Sequence, residues 1–208
     1  MSSARVATPP GGSSTAAGVA PPRTALVLSG GGARGAYQVG VLRGLVEQGF
    51  LPPDRSAIDI IVGSSAGSIN AAAMAAYAHD FDEGLRRLEQ VWGRIAPAQV
   101  YRTDVASLGR TGLRWAWDLS FGGATHHVQP KSLLDNTPLR GLLAKNIPFH
   151  RIEANIAAGC LSALALIATA LHPSNGVVFL CAAPEAPSWT RRRWRIERTR
   201  ICVDHLLA

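Results

Sequence analysis

A serine stands between two glycines at Gly63-Ser64-Ser65-Ala66-Gly67. It follows a short apolar run, Ile58 to Val62, and opens an alanine-rich segment. A G-x-S-x-G pentapeptide at a strand-to-helix turn has the form of a nucleophile elbow, in which the serine hydroxyl stands clear above the end of a sheet. Gly63 and Gly67 carry no side chains, so the turn can close and a substrate can approach. The helix that begins at Ala66 points its positive end at the same place, which favours any negative charge developing there. Ser65 is therefore a candidate nucleophile toward an acyl carbon, with Gly63, Ser64, Ala66 and Gly67 as the elbow around it. Taken alone, the pentapeptide fits a Gly/Ser-rich turn without chemistry equally well.

A second motif changes that balance. Gly30-Gly31-Gly32-Ala33-Arg34-Gly35 follows the apolar run Thr24–Ser29 and opens another helical segment. Written as G-x-G-x-x-G it matches a dinucleotide-binding fingerprint. That reading also needs an acidic residue near the end of the second strand, to hold a ribose. Asp54 and Asp59 are at about the right distance in sequence, but Asp59 opens the second strand, and that strand ends in Gly63-Ser64-Ser65. Nucleotide binding is therefore disfavoured. Two neighbouring strands that each end in a glycine turn would bring both turns to one sheet edge. Backbone N–H groups of Gly31, Gly32 and Ala33 would then face the carbonyl carbon attacked by Ser65. Donors fixed where charge appears in the transition state make an oxyanion hole. Gly30 and Gly35 frame this loop, and Arg34 adds positive potential or pairs with a surface acid.

The elements that must position these turns are legible in the pattern. Thr24–Ser29 and Ile58–Val62 read as buried strands. Between them Val39, Leu42 and Val46 recur at helical spacing, and Gly49 falls at a C-terminal cap position. Ala66–Ala78 reads as a helix of small residues able to lie close on a sheet. Asp82 is placed to cap the next helix, with Leu85, Leu88, Trp92 and Ile95 on one face. Residues 104–130 lack clean periodicity and read as helix then loop. Thr137-Pro138 starts a further helix. The uncharged run Ile156–Leu171 has 16 residues, short of the roughly 20 that span a bilayer. With the Pro-Ser-Asn-Gly turn at 173–176 and the run VVFLCAA after it, two strands joined by a turn is the better reading. Alternating strands and helices predict a three-layer α/β/α sandwich with a mostly parallel central sheet.

Composition sets the bounds. The chain has 208 residues, 47 % of them hydrophobic, which is enough for one domain with a real core. Residues 1–22 are rich in Ser, Ala, Gly and Pro and read as a flexible tail without a secretory apolar region. The remainder, 23–208, reads as the domain. Net charge is +7, of which residues 191–200 supply +5 through six Arg and one Glu. Basic charge is thus local, and a dispersed nucleic-acid footprint is not supported. The run around Trp189 and Trp194 either meets anionic lipid headgroups or is a solvated face, and solvation is the commoner fate. Trp115, Trp117 and Phe121 are candidates to cover an acyl pocket or to fill the core. Three cysteines, Cys160, Cys181 and Cys202, form no metal-ligand pattern. They read as small buried hydrophobes in a reducing, cytoplasmic setting.

The segments LVLSGGGARGAYQVGVL and DIIVGSSAGSINA together resemble the patatin-like phospholipase family, also called the patatin-like lipid acyl hydrolases. The resemblance is strong over Thr24–Ala78, and Leu133–Leu143 and the terminal VDHLLA are similar too. It implies a patatin-like fold and hydrolysis of a phospholipid or other acyl ester, with peripheral contact at a membrane. It further implies a Ser–Asp dyad in which Ser65 attacks and an aspartate in an Asp-Gly turn is the base. Neither metal nor cofactor is implied, and no histidine. The six histidines follow no pattern tied to Ser65. The sequence departs from the family in one respect: none of its eight aspartates is followed by glycine. On this reading the domain is truncated before that aspartate, at its C-terminal end. Two functions stand side by side: a serine lipid acyl hydrolase, and an inactive fragment that binds lipid or a partner. A dinucleotide-binding module ranks behind both.

Overall fold

The computed structural model describes residues 23–54, 56–100, 137–170, 175–184 and 192–208. The tail at 1–22, the segment 104–130 and the aromatic candidates Trp115, Trp117, Phe121 and Trp189 lie outside the described residues. Five strands form one sheet in the order β1 (Ala25–Leu28), β2 (Ile60–Ser64), β3 (Ala163–Ala170), β4 (Asn175–Ala182) and β5 (Trp194–Arg198). Strands β1, β2 and β3 run parallel, β4 turns back antiparallel to β3, and β5 is parallel to β4. The sheet is therefore mostly parallel, as expected. The expected strand pair after residue 156 is β3 and β4, although Ile156 and Ala157 close the preceding helix. Asn175 and Gly176, expected in the turn, already pair in β4.

Seven helices accompany the described strands: α1 (Gly35–Glu47), α2 (Ala66–Ala76), α3 (Phe81–Arg94), α4 (Pro97–Val100), α5 (Thr137–Asn146), α6 (His150–Ala157) and α7 (Val203–Leu207). Helix α2 lies on β1, β2 and β3, α6 lies on β4 and α2, and α1 and α3 close over α2. A common physical cause places them together. The parallel crossovers β1–α1–β2 and β2–α2–β3 step in the same direction, and right-handed connections then put their helices on one face. That face is the core: Leu28, Ile61, Leu164, Leu166 and Cys181 alternate along the strands and are buried. Burial pushes the Cys181 thiol up from its ordinary value, in keeping with a small hydrophobe. The opposite face carries Val27, Val62, Ala165, Ile167 and Leu180. No described helix covers it, and Val27 is 70 % exposed.

Helix boundaries follow local chemistry. Gly49 adopts φ 75° beyond α1, and Phe50 N–H returns to the Leu45 carbonyl at 2.8 Å, the geometry of a glycine-terminated helix. The N-cap of α3 is Asp80, not Asp82: its carboxylate accepts from Glu83 N–H at 3.0 Å. Asp82 instead lies in the first turn and faces α1. There Arg43 pairs with Asp82 and with Glu89 at 2.7 Å, fastening α1 to α3. The Arg43 guanidinium, joined by Arg86, holds the Asp82 carboxyl below its usual range.

Because folded Asp82 binds a proton more weakly than unfolded Asp82, its stabilisation is complete above about pH 3.9 and is lost as pH falls through the folded value. Thermal melts of the wild type and Asp82→Asn should differ most near neutrality and converge in acid. Curves that stay parallel down to strong acid would count against this role.

Candidate active site

The elbow is built by the removal of side chains. A Cβ on Gly63 would lie 2.6 Å from the Gly67 carbonyl oxygen and 2.7 Å from Ala71 Cβ. One on Gly67 would lie 2.2 Å from the Leu28 oxygen. These are backbone and helix-core atoms with no freedom to withdraw, so both glycines are needed for α2 to settle on the ends of β1 and β2. Small residues continue the fit, and Ala71, Ala72, Ala75 and Ala76 are fully buried. A helix apolar all round is one enclosed on all sides.

Between these glycines Ser65 is exposed and adopts φ 51°, ψ −124°. A non-glycine residue rarely enters this half of the map, and such conformations persist only where the surroundings enforce them. Here the enforcement comes from β2 ending and α2 beginning within one residue, with Ser68 N–H bonded to the Ser65 carbonyl at 2.8 Å.

The two glycine turns converge. Leu28 pairs with Gly63, so β1 and β2 end side by side. At Gly30 a Cβ would lie 3.0 Å from Ser65 Cβ and 3.7 Å from its hydroxyl oxygen. The first turn thus passes directly against the serine. Gly32 adopts φ 56° with open space around its Cα, so its glycine serves the backbone rather than a contact. Gly31 to Arg34 are exposed and make a single 3-10 turn into α1.

A buried hydrogen-bond network fixes the first turn against the second. Asn70, fully buried in α2, donates through Nδ2 to the Gly35 carbonyl at 2.9 Å and to Gln38 Oε1 at 3.0 Å. Its Oδ1 accepts from the Trp92 indole N–H at 2.8 Å. Gln38 Nε2 in turn donates to the Ser29 carbonyl at 2.8 Å. One side chain on the elbow helix therefore holds the far end of the glycine turn directly, its near end through Gln38, and α3 as well. A second buried asparagine secures the far end of α2: Asn155 Nδ2 donates to the Ala75 and Ala76 carbonyls at 2.8 and 3.0 Å. Its Oδ1 meets His79 Nδ1 at 3.0 Å. Neither asparagine was among the residues expected from the motifs. For Asn70 the available signal was a lone amide in a helix of small and apolar residues, since buried polar groups must find partners; Asn155, in the mixed helix HRIEANIA, carried no such signal.

The described carboxylates are engaged elsewhere or sit at other elements. Asp59 accepts from Thr24 N–H at 2.7 Å at the starting ends of β1 and β2, opposite the serine. A ribose-binding role for Asp59 is therefore not available at the glycine turn. Asp54 precedes β2 at that same far end. Asp80 caps α3, Asp82 pairs with Arg43 and Asp204 with Arg140. Asp104, Asp118 and Asp135 lie outside the described residues. Among the described residues no side chain is hydrogen-bonded to the Ser65 hydroxyl. No cluster of His, Cys, Asp and Glu that could hold a metal is found among them either. Among the described residues, cavities of about 480 and 510 Å³ are lined by α3, α4, α5 and the start of α6, and neither lining includes Ser65 or the glycine turn.

Two substitutions probe this construction. Asn70→Ala takes the acceptor from the part-buried Trp92 N–H and the bridge from Gly35 and Gln38, and should cost about 1–3 kcal/mol, read from urea unfolding. Gly67→Ala forces a Cβ into the backbone of β1 and should cost about 3 kcal/mol. A Gly67→Ala protein as stable as the wild type would refute the close approach.

The family model described as patatin-like phospholipase matches residues 26–193. A patatin-like phospholipase domain-containing protein of Aspergillus oryzae is 37 % identical over 95 residues, 46 % of this chain and 11 % of its own. The triacylglycerol lipase ptl3 of Schizosaccharomyces pombe is 54 % identical over 52 residues, 25 % of this chain and 10 % of its own. This chain thus spans about a tenth of the length of the curated relatives it matches. Among solved structures, full-length ExoU of Pseudomonas aeruginosa, in complex with SpcU, superposes with a TM-score of 0.43 at 19 % identity. That match covers 79 % of this chain and 36 % of the other. With the family model matched across most of its length and both glycine motifs meeting at one sheet edge, the chain belongs to the patatin-like phospholipase family.

Proposed function

We propose that this protein is a serine lipid acyl hydrolase in which Ser65 is the nucleophile. The observation that carries the reading is Ser65 itself: exposed, held at positive φ on a strand-to-helix turn, and in contact with Gly30 of the second motif. The Ser65 oxygen attacks the ester carbonyl carbon. Negative charge then gathers on the former carbonyl oxygen, where the N–H groups of Gly31, Gly32 and Ala33 and the amino end of α2 stabilise it. Gly30 and Gly35 hold the ends of that loop, and Arg34 adds positive potential beside it. Collapse expels the alcohol and leaves an acyl-serine, which water hydrolyses. Family membership and the lipase relative favour an acyl ester of a lipid as substrate, met by peripheral contact at a membrane from the cytoplasmic side.

The hydroxyl proton needs an acceptor. The family pattern assigns it to an aspartate in an Asp-Gly turn, and this sequence has no Asp-Gly. A serine without a base is a weak nucleophile. That observation favours a second reading, in which the chain binds lipid or a partner and turns over little.

A fluorophosphonate probe followed by intact-mass analysis separates the nucleophile from the rate. The wild type should gain one adduct and Ser65→Ala none. Ala keeps the same Cβ and loses no described hydrogen bond, so the variant should melt as the wild type does. Equal labelling of both proteins would refute the assignment. Hydrolysis of a p-nitrophenyl ester, measured beside it, should be slow and lost in Ser65→Ala. Rates equal in the two proteins, with the adduct still on Ser65 of the wild type, would favour the second reading.

A further inference from the structure

Strand register carries the arginine-rich segment to the edge that holds Ser65. Ser64 pairs with Ile167 and Asn175 with Ala170, while Trp194 pairs with Gly176. Trp194 therefore starts β5 level with Thr169, two residues beyond the elbow. At ordinary strand spacings it stands about 7 Å further out than Ser64 and about 14 Å to the side. The turn before it, Arg192-Arg193, projects from the same edge.

This turn is held rather than loose. Arg193 adopts φ 68°, and its carbonyl accepts from Gly176 N–H at 3.0 Å. Among the described residues, Ser65 and Arg193 are the two non-glycines at positive φ, and both lie on this edge. The Trp194 ring rests against Gly176, where a Cβ would lie 2.5 Å from Cε3, and the residue is 39 % exposed.

Among the described residues, charge on this edge is of one sign. The described segments that reach it are Ser29–Tyr37, Ser64–Asn70, the end of β3, the start of β4, Arg192–Trp194 and the end of α3. They bring Arg34, Arg94, Arg192 and Arg193, all exposed, and no Asp or Glu. No ion pair is described for any of the four. Two arginines further along the chain are paired instead: Arg195 with Glu197 at 2.5 Å and Arg200 with Glu153 at 2.8 Å. Tyr37, in the first turn of α1, is 77 % exposed on the same edge. Cations interleaved with exposed aromatics suit the boundary of an anionic bilayer: the guanidinium groups meet headgroups while the rings enter the interfacial layer. The site itself is set on this open edge.

We infer that the edge formed by Arg34, Arg94, Arg192, Arg193, Tyr37 and Trp194 docks on an anionic lipid surface and presents Ser65 to it. The surface deepens the hydrolase reading and rests on it for the fate of the bound lipid, but not for the binding. Arg192 and Arg193 are the residues to reverse, because they stand apart from the elbow and from the glycine turn.

The test is co-sedimentation of the full chain with phosphatidylcholine vesicles, with and without phosphatidylserine. The wild type should bind the mixed vesicles, bind neutral ones weakly, and release as salt rises. Arg192→Glu/Arg193→Glu should bind at least about tenfold more weakly, and Ser65→Ala should bind as the wild type does. Tryptophan emission should shift to shorter wavelength on mixed vesicles, and less so in Trp194→Phe, which keeps a ring on Gly176. Binding indifferent to phosphatidylserine and salt would overturn the proposal. So would full binding by the charge-reversed protein, or retention on heparin or single-stranded RNA without vesicle binding. If charge reversal fails to fold, the lipid and salt dependence of the wild type decides. Vesicle binding without a phosphonate adduct on Ser65 would sustain this surface and sink the hydrolase. An adduct with charge-indifferent vesicle binding would do the reverse.

Discussion

No room exists for a side chain between the first turn of α2 and the ends of β1 and β2. A Cβ on Gly67 would fall 2.2 Å from the Leu28 oxygen, and one on Gly63 would strike both Gly67 and Ala71. Everything at the candidate site follows from this approach. Because α2 begins within one residue of the end of β2, Ser65 has to turn at positive φ and its hydroxyl stands free. Because α2 lies so low, its amino end comes level with the turn after β1. A conventional strand-to-helix connection with a side chain at either glycine would lift the helix and separate the two motifs.

Close approach alone does not set the glycine turn, whose backbone is exposed and whose residues are small. Asn70 does that from inside. Its amide spans Gly35, Gln38 and Trp92, and Gln38 passes the connection on to Ser29. A polar group this deeply buried is costly when left half-paired and rigidifying when its partners are complete. The same logic repeats at the far end of α2, where Asn155 closes the last carbonyls of the helix. The elbow helix is thus fixed along its length by two amides in an otherwise apolar environment. The serine and the donors expected to face it sit on elements that cannot drift independently.

The sheet distributes its two faces and its two edges to different ends. Successive parallel crossovers stepping one way place the described helices on one face, and on the other Val27 is exposed while Val62, Ala165, Ile167 and Leu180 are part-buried. At the starting edge, Asp59 ties the beginnings of β1 and β2 together. At the finishing edge the chain places glycines, one exposed serine and arginines for which no ion pair is found among the described residues. Among the described residues, Asp59 thus serves structure at one end while Arg34, Arg94, Arg192 and Arg193 gather near the candidate site at the other.

Much of this was legible in the residues. Apolar runs bounded by glycine marked β1 and β2, the small-residue run marked α2, and helical spacing placed Val39, Leu42, Leu85 and Leu88 in the core. Glycine after a strand and before a helix, twice over, pointed to one edge because parallel neighbours must end together. Other features were out of reach for physical reasons. Asp80 and Asp82 are both acids at a helix start, and only the backbone angles decide which one caps. The paired end of the β3–β4 turn shifted because hydrogen bonding to a neighbouring strand outweighs the turn preference of Asn and Gly. The sequence by itself determined that a serine would stand at a sharp glycine turn, because that is a matter of local backbone chemistry. Only the tertiary structure decided that Gly30 would touch that serine, that Asn70 would hold the first turn to the second, and that Arg192 and Arg193 would rise on the same edge. The first two join residues 32 and 35 positions apart, the last rests on the pairing of Ser64 with Ile167, and all exist only once strand order and register are fixed.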